Sequence, residues 1–369
     1  MNILLLGGTG TLSSAVRDLS INKGYNVTIF NRGKSVDIIP DKVKLVVGDF
    51  KKRESLECSI AQTNYDVVVD FLSRNTADID RVFSIFQGRC TQYLFISTAC
   101  VYNRSNAKKR LTEDAPKPNM KWSYSVEKYN CEQRLKELQN ENSNTYYTIV
   151  RPYITYDRQR IPLGISPIPY SLHGTIVERI KSGKPLFIWD GGKNVTTTTY
   201  VKDFALGVIG LFLNPNAKNE DFHITSSNTC THRLLLEKLF QKLHVSPNII
   251  DVKTSEICEC LPEYKDMLLA DRALDAQFDN SKIKAVVKDL NFETSIDQGL
   301  DIVLEYWEHV STYKYDYQFE GRIDRLLSRH TKVGYVRYAY AKRSSLVVYL
   351  LYRYLPLKWA KKISLLCHS

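Results

Sequence analysis

Met1-Asn-Ile-Leu-Leu-Leu6 runs straight into Gly7-Gly-Thr-Gly10-Thr-Leu-Ser-Ser14. The apolar run Ile3–Leu6 reads as a strand buried on both faces of a parallel sheet. The glycines after it let a backbone approach a pyrophosphate closely, and a helix starting there offers unpaired N–H groups. The stretch predicts a first strand, a dinucleotide-binding turn and a first helix, with Gly7, Thr9, Gly10 and Thr11 beside the phosphates. The hydroxyls of Thr9, Thr11 and Ser13 flank that path; hydroxyls here also serve as helix caps. Ser13 stands where the usual pattern has its third glycine.

Outward from this turn, strands and helices alternate. Strands are predicted at Asn26–Phe30, Val43–Val47, Asp66–Leu72, Tyr93–Ser97 and Tyr146–Arg151. Helices are predicted at Ser13–Lys23, Glu54–Gln62, Ala77–Phe86 and Ser123–Gln139. That alternation implies an α/β fold, a Rossmann-type doubly wound parallel sheet whose ligand sits at the carboxyl ends of the strands. The expected domains are a nucleotide-binding domain over 1–152 and a substrate-binding region over 153–310, interleaved with the core. A basic extension, helical in character, covers 311–369.

Phe30-Asn31-Arg32-Gly33-Lys34 ends the second strand. An acidic residue there binds the ribose of NAD; Arg32 and Lys34 would instead meet a 2′-phosphate. The cofactor is therefore NAD or NADP, with NADP favoured. Asp49 ends the third strand, where a carboxylate reaches the adenine or simply makes a turn.

Tyr124-Ser-Val-Glu-Lys128 places a phenol and an ammonium four apart on one helix face. The cation stabilises phenolate, so such a tyrosine can exchange a proton with an alcohol or carbonyl. A Tyr/Lys pair at this spacing is commonly a solvated face. Here Ile96-Ser-Thr-Ala-Cys-Val-Tyr102 precedes it and sets hydroxyls at the end of a buried strand.

In that order, these residues resemble the extended short-chain dehydrogenase/reductases of the NAD-dependent epimerase/dehydratase family. The resemblance spans roughly 1–310 and includes Arg151-Pro-Tyr153, Tyr200-Val-Lys-Asp203, Phe222-His-Ile-Thr225 and Phe278–Lys284. The Gly7–Ser14 turn, Asn31-Arg32-Gly33 and Phe278–Lys284 look closest to a bacterial branch related to chloroplast stem-loop RNA-binding proteins. It implies Thr98 as hydroxyl donor to the reacting oxygen, Tyr124 as general acid/base and Lys128 as its activator and a ribose ligand. It also implies Leu12, Asn31, Arg32, Asp49 and Phe50 among the cofactor contacts. The implied activity is oxidation or reduction of a secondary alcohol or ketone, on a nucleotide-activated sugar, as an epimerase or reductase. Ala99-Cys100 replaces the Asp-Glu pair of the 4,6-dehydratases, which argues against dehydration. Arg158, His173 and Arg179 are the candidate substrate ligands, since guanidinium pairs well with diphosphate. The alternative is a non-catalytic scaffold that binds RNA or a protein partner. Family members often pair through the two helices here at Ala77–Phe86 and Ser123–Gln139, so a homodimer is expected.

The formal charge of +11 is uneven: residues 311–369 hold twelve Lys/Arg against three acids. The body is near neutral. Leu346–Tyr352 is the longest apolar run of the extension, far short of the roughly 20 residues that span a bilayer. With its lysines and tyrosines the extension reads as helices packed on the enzyme body. Next comes contact with a membrane surface, and nucleic-acid binding is the least favoured. The eight cysteines show no metal-binding spacing, and no metal site is expected. The N-terminal apolar run is too short for a secretory signal, so the expectation is a cytoplasmic protein, peripheral at the membrane if its extension binds there.

Overall fold

The computed structural model describes residues 1–34, 39–60, 63–104, 110–139, 144–311, 314–334 and 343–366. In chain order the first half comprises β1 (Asn2–Leu6), α1 (Thr11–Asn22), β2 (Asn26–Asn31), β3 (Val43–Val47), α2 (Arg53–Ile60) and β4 (Tyr65–Asp70). Then come α3 (Thr76–Phe86), β5 (Cys90–Ile96), α4 (Ser123–Leu138), β6 (Tyr146–Pro152) and β7 (Thr155–Tyr156). The second half holds α5 (Gly174–Lys181), β8 (Leu186–Trp189), β9 (Val195–Thr197), β10 (Thr199–Tyr200), α6 (Val201–Gly210), β11 (Glu220–Ile224) and β12 (Thr229–Thr231). It continues with α7 (His232–Lys242), β13 (Ile249–Val252), α8 (Thr254–Cys260), the single turn α9 (Lys265–Met267), α10 (Ser281–Val286) and α11 (Ile296–His309). The last three helices are α12 (Tyr317–Leu327), α13 (Arg343–Tyr354) and α14 (Leu357–Leu366).

Seven strands form one parallel sheet in the order β11-β6-β5-β4-β1-β2-β3. Its register aligns the strand ends: Leu6 pairs with both Phe30 and Asp70, Asp70 with Phe95, and Ile96 with Val150. Gly7, Phe71 and Ser97 consequently leave the sheet at one end of the strands, beside Asn31, the last residue of β2. Ile3–Leu6 is fully buried. Ile3 and Leu5 pack on one face with Val16, Phe204 and Val208; Leu4 and Leu6 pack on the other with Val82, Phe83 and Leu135. Each such side chain contributes about 1.5–3 kcal/mol of burial. β4 stops at Asp70, two residues before the expected end, because the Asp70 carboxylate takes the backbone N–H groups of Leu72 and Ser73 at 2.8 and 3.0 Å. Those bonds turn the chain out of the sheet.

The contacts divide the chain into two compact units. One holds 1–157, 197–229 and 277–294; the other holds 158–196, 230–276 and 295–369. Residues 153–310 are thus shared between both, and the extension clusters with the second.

In the second unit β8 and β13 pair in parallel. α13 lies close on α12 at Gly321, where an added Cβ would sit 2.5 Å from the Tyr349 carbonyl oxygen. Beneath the helix pair lies a buried charge cluster. The Arg179 guanidinium reaches Asp324 at 2.7 Å and Glu320 at 2.8 Å. The Lys184 ammonium reaches both carboxylates at 2.6 Å, and the Tyr349 hydroxyl donates to Asp324 at 2.7 Å.

Candidate active site

Gly7 and Gly8 adopt φ of +119° and +99°, a region that side chains resist. At Gly8 a Cβ would also lie 2.6 Å from Ile29 Cγ2. The loop is pinned from behind: the buried Arg17 of α1 donates to the Gly8 carbonyl at 2.9 Å. Ser13, in place of the third glycine, accepts the Gly10 N–H at 3.0 Å and donates to the Gly10 carbonyl. The serine closes the turn on itself and is buried, so its hydroxyl is structural. Thr11 likewise donates to Asp157 at 3.0 Å. Gly10 is the N-cap residue of α1, leaving the first-turn N–H groups at Thr11 and Leu12 as anion donors.

At the end of β2, Asn31 accepts the Gly33 N–H at 2.7 Å through its side-chain oxygen. Its amide nitrogen is buried with no partner among the described residues. Arg32 is exposed beside it. The half-buried Asp49 takes the Lys51 N–H at 3.0 Å, and Phe50 carries the Arg81 guanidinium 5.2 Å above its ring. A positive-φ glycine cradle, a helix start and an unsatisfied amide at the ribose position fit a dinucleotide.

At the same end of the strands, Lys128 of α4 is 5% exposed. Its ammonium donates to the carbonyls of Ile96 at 2.7 Å and Ser73 at 2.9 Å, and lies 4.1 Å from the Phe95 ring centre. Burial lowers its pKa to about 8. Ser73 is itself fixed by Asp70, which accepts the hydroxyls of Ser73 and, at 2.5 Å, Tyr93. Tyr124 sits one turn before Lys128, 38% exposed, with its ring tilted against that of Trp122 at 5.0 Å between ring centres. Thr98, 6% exposed, caps the short helix Ala99–Val101 by accepting the Cys100 N–H at 3.2 Å. None of the described residues takes its hydroxyl proton. α4 therefore presents an ammonium held in place and a partly exposed tyrosine one turn before it, with a hydroxyl at the end of β5.

Ser97 donates to Glu132 at 2.5 Å and so is committed elsewhere. Glu132 pairs with Arg151 through two bonds, at 2.9 and 2.7 Å, all of it fully buried. Arg151 continues to the Tyr102 hydroxyl at 3.0 Å, and that hydroxyl meets His223 Nδ1 at 3.1 Å. Arg151 also pairs with Asp221 at 2.5 Å; burial opposes the Arg151 charge, but Glu132, Tyr102 and Asp221 together more than reverse that and keep the guanidinium ionised. Burial also lowers His223 to about 4, so its ring is neutral. The network locks α4 to the ends of β5, β6 and β11. Arg17, Asp70, Ser73 and Glu132 were not singled out from sequence. Glu132 continues the Tyr124–Lys128 stripe by four more residues, a signal that was available.

Two substrate candidates are corrected. Arg179 is fully buried and spent on Glu320 and Asp324. His173 is fully buried too: its Nδ1 accepts the Ile161 N–H at 2.8 Å, and its Nε2 donates to the Pro167 carbonyl at 3.0 Å. Both side chains are buried and engaged inside the second unit, and burial holds His173 neutral with a pKa of about 3. Arg158 is exposed, 5.4 Å above the Tyr306 ring. No cluster of three or more metal-binding side chains occurs among the described residues.

A glycine turn after the first strand of a seven-stranded parallel sheet defines a Rossmann-type dinucleotide-binding protein. The model of the NAD dependent epimerase/dehydratase family matches residues 3–225, more than half of the chain, and the chain belongs to that family. It is 25% identical over 242 residues to the chloroplast stem-loop binding protein of 41 kDa b of Arabidopsis thaliana, a match covering 62% of this chain and 60% of that relative. The chain thus spans less than two thirds of that relative's length. Two crystal structures share the fold. UDP-glucose 4-epimerase of Thermotoga maritima with UDP-glucose has a TM-score of 0.66 at 20% identity, covering 84% of this chain and 99% of that one. UDP-glucuronic acid 4-epimerase of Bacillus cereus in complex with NAD has 0.62 at 17%, covering 85% and 100%.

Proposed function

We propose that this protein moves a hydride between NAD(P) and a secondary alcohol or ketone carbon of a nucleotide-activated sugar, as an epimerase or a reductase. The observation that carries this reading is the buried Lys128 ammonium. It is held by Ile96 and Ser73 one turn from the partly exposed Tyr124, on the side of the sheet that carries the glycine turn. Gly7–Leu12, Asn31, Arg32, Asp49 and Phe50 would hold the dinucleotide, and Lys128 its ribose. Arg32, with no carboxylate beside it, favours the 2′-phosphorylated form. Once bound, the nicotinamide supplies the hydride acceptor or donor.

The chain's own residues manage the proton. The Lys128 charge favours the Tyr124 phenolate. The Tyr124 oxygen takes the proton from the substrate hydroxyl, or returns it to a carbonyl oxygen. Thr98 donates to the same oxygen and orients it. Ala99 and Cys100 offer no carboxyl group for eliminating water, which leaves hydride transfer as the chemistry of the site. The test is Tyr124→Phe against a panel of UDP-sugars: turnover should fall at least about 100-fold with NAD(P) affinity retained. Full turnover in that variant overturns the mechanism.

A second reading rests on the stem-loop binding relative: a scaffold that holds RNA. Salt-sensitive RNA retention on filters, with no turnover of any UDP-sugar, would favour it over the enzyme.

A further inference from the structure

We propose that the α13–α14 hairpin is a docking surface for an anionic lipid bilayer. From Arg325 to Ser369 the chain has ten Lys/Arg and no Asp or Glu. Two of the ten are paired within the chain, Arg329 with Glu259 of α8 at 3.0 Å and Arg353 with Asp324 at 3.4 Å, and Glu320 and Asp324 are otherwise buried against Arg179 and Lys184. What α13 and α14 show outward is therefore positive. Arg343, Lys358, Lys361 and Lys362 are all exposed.

The apolar groups of the hairpin split between two faces. One face is core: Val348, Tyr352 and Ala360 pack together with Tyr317, Leu351, Leu355 and Leu357. The other is bare: Val347, Leu350 and Tyr354 are 43%, 39% and 66% exposed. Their spacing of three and four residues puts them along a single stripe of α13. α14 adds Trp359, 57% exposed, between Lys358 and the Lys361–Lys362 pair. Folding of the unit consumes the first face and has no use for the second.

Exposed aromatic and aliphatic side chains on helices that also carry exposed lysines match a membrane interface, where rings and stems enter the headgroup layer and ammonium groups meet lipid phosphate. α13 is twelve residues long, and no described helix is long and apolar enough to cross a membrane. The contact is thus with the surface. Nucleic acid also offers phosphate, but aliphatic Val347 and Leu350 have nothing to stack on there. The charge complementarity together with this aliphatic stripe commits the surface to lipid.

Co-sedimentation of the full chain with phosphatidylcholine vesicles, with and without phosphatidylglycerol, tests this. Three variants accompany the wild type: Leu350→Asp, Trp359→Ala, and Lys358→Glu/Lys361→Glu/Lys362→Glu. All change exposed side chains, and unchanged thermal unfolding checks that each is folded. The expected result is binding to the anionic vesicles at least about tenfold tighter than to neutral ones, weakening with salt. All three variants should lose most of it. Three outcomes overturn the proposal: no binding to anionic vesicles, equal binding by wild type and variants, or RNA binding without vesicle binding. So does a dimer that Leu350→Asp dissociates in a protein that ignores vesicles, since the stripe would then be covered by a second copy.

Discussion

At the scale of single residues, Lys128 shows how burial sets up chemistry. Its ammonium is removed from water and its hydrogen bonds go to two carbonyls beside an aromatic face, with no carboxylate in direct contact among the described residues. The folded chain releases that proton near pH 8, against an ordinary value of 10.5. Unfolding therefore takes up a proton between those values, and this residue's contribution makes stability rise with pH across that window, by up to about 3 kcal/mol. Lys128→Met should flatten the rise in a denaturation series from pH 8 to 10; an unchanged slope would remove the assignment. Arg17 acts at the other end of the site. Arg17→Ala leaves the Gly8 carbonyl without its donor and loosens the turn, so NAD(P) affinity should fall about tenfold, roughly 1.4 kcal/mol. Equal affinity, measured by calorimetry, would mean that the turn holds its shape without Arg17.

At the scale of elements, α4 carries Tyr124, Lys128 and Glu132 on one stripe, and each has a different neighbour. Glu132 holds the helix to Arg151 in a place without water. Removing Glu132 leaves the buried Arg151 with the Asp221 carboxylate at 2.5 Å as its one ion-pair partner among the described residues, so Glu132→Ala should cost about 3 kcal/mol, the low end for a broken buried pair, read as a shift in denaturant midpoint. A cost below 1 kcal/mol would mean that water reaches the pair. The extension depends on a close helix contact. Gly321→Val would push against the Tyr349 carbonyl and lift α13 from α12. Proteolysis at Arg343 or Arg353 should then run at least about tenfold faster, as a locally opened segment does; wild-type resistance would show that the helices can separate slightly at no cost. The elements themselves were largely legible. Ile3–Leu6, Val43–Val47 and Tyr146–Arg151 lie in strands as predicted. The shift at Asp70 came from a side chain bonding to its own following backbone, which hydrophobic pattern does not encode.

At the scale of the whole molecule, three buried histidines make the fold acid-sensitive. Burial holds His173 and His232 near 3 and His223 near 4. The unfolded chain binds these protons at the ordinary value of 6.5, so stability falls as pH drops below it. By pH 5 the three together remove about 6 kcal/mol, and the melting temperature should be more than about 5 °C below its pH 7 value. A melting temperature flat over that range would show that water reaches these rings.

The sequence by itself determined the sheet, the glycine turn and the order Thr98, Tyr124, Lys128, because periodicity and local spacing are written along the chain. It also located the excess positive charge in residues 311–369. Which charges are spent inside was decided only by the tertiary structure. Arg179 lies 145 positions from Asp324 and 141 from Glu320 in the chain, and no local pattern joins them. Ser13, Ser97 and Thr98 are similar hydroxyls in sequence. Packing commits the first to Gly10 and the second to Glu132, and leaves the proton of the third for a ligand. The reason is physical: periodicity tells which face of an element is buried, but a polar group's role depends on the partner that burial brings to it, and that partner comes from elsewhere in the chain.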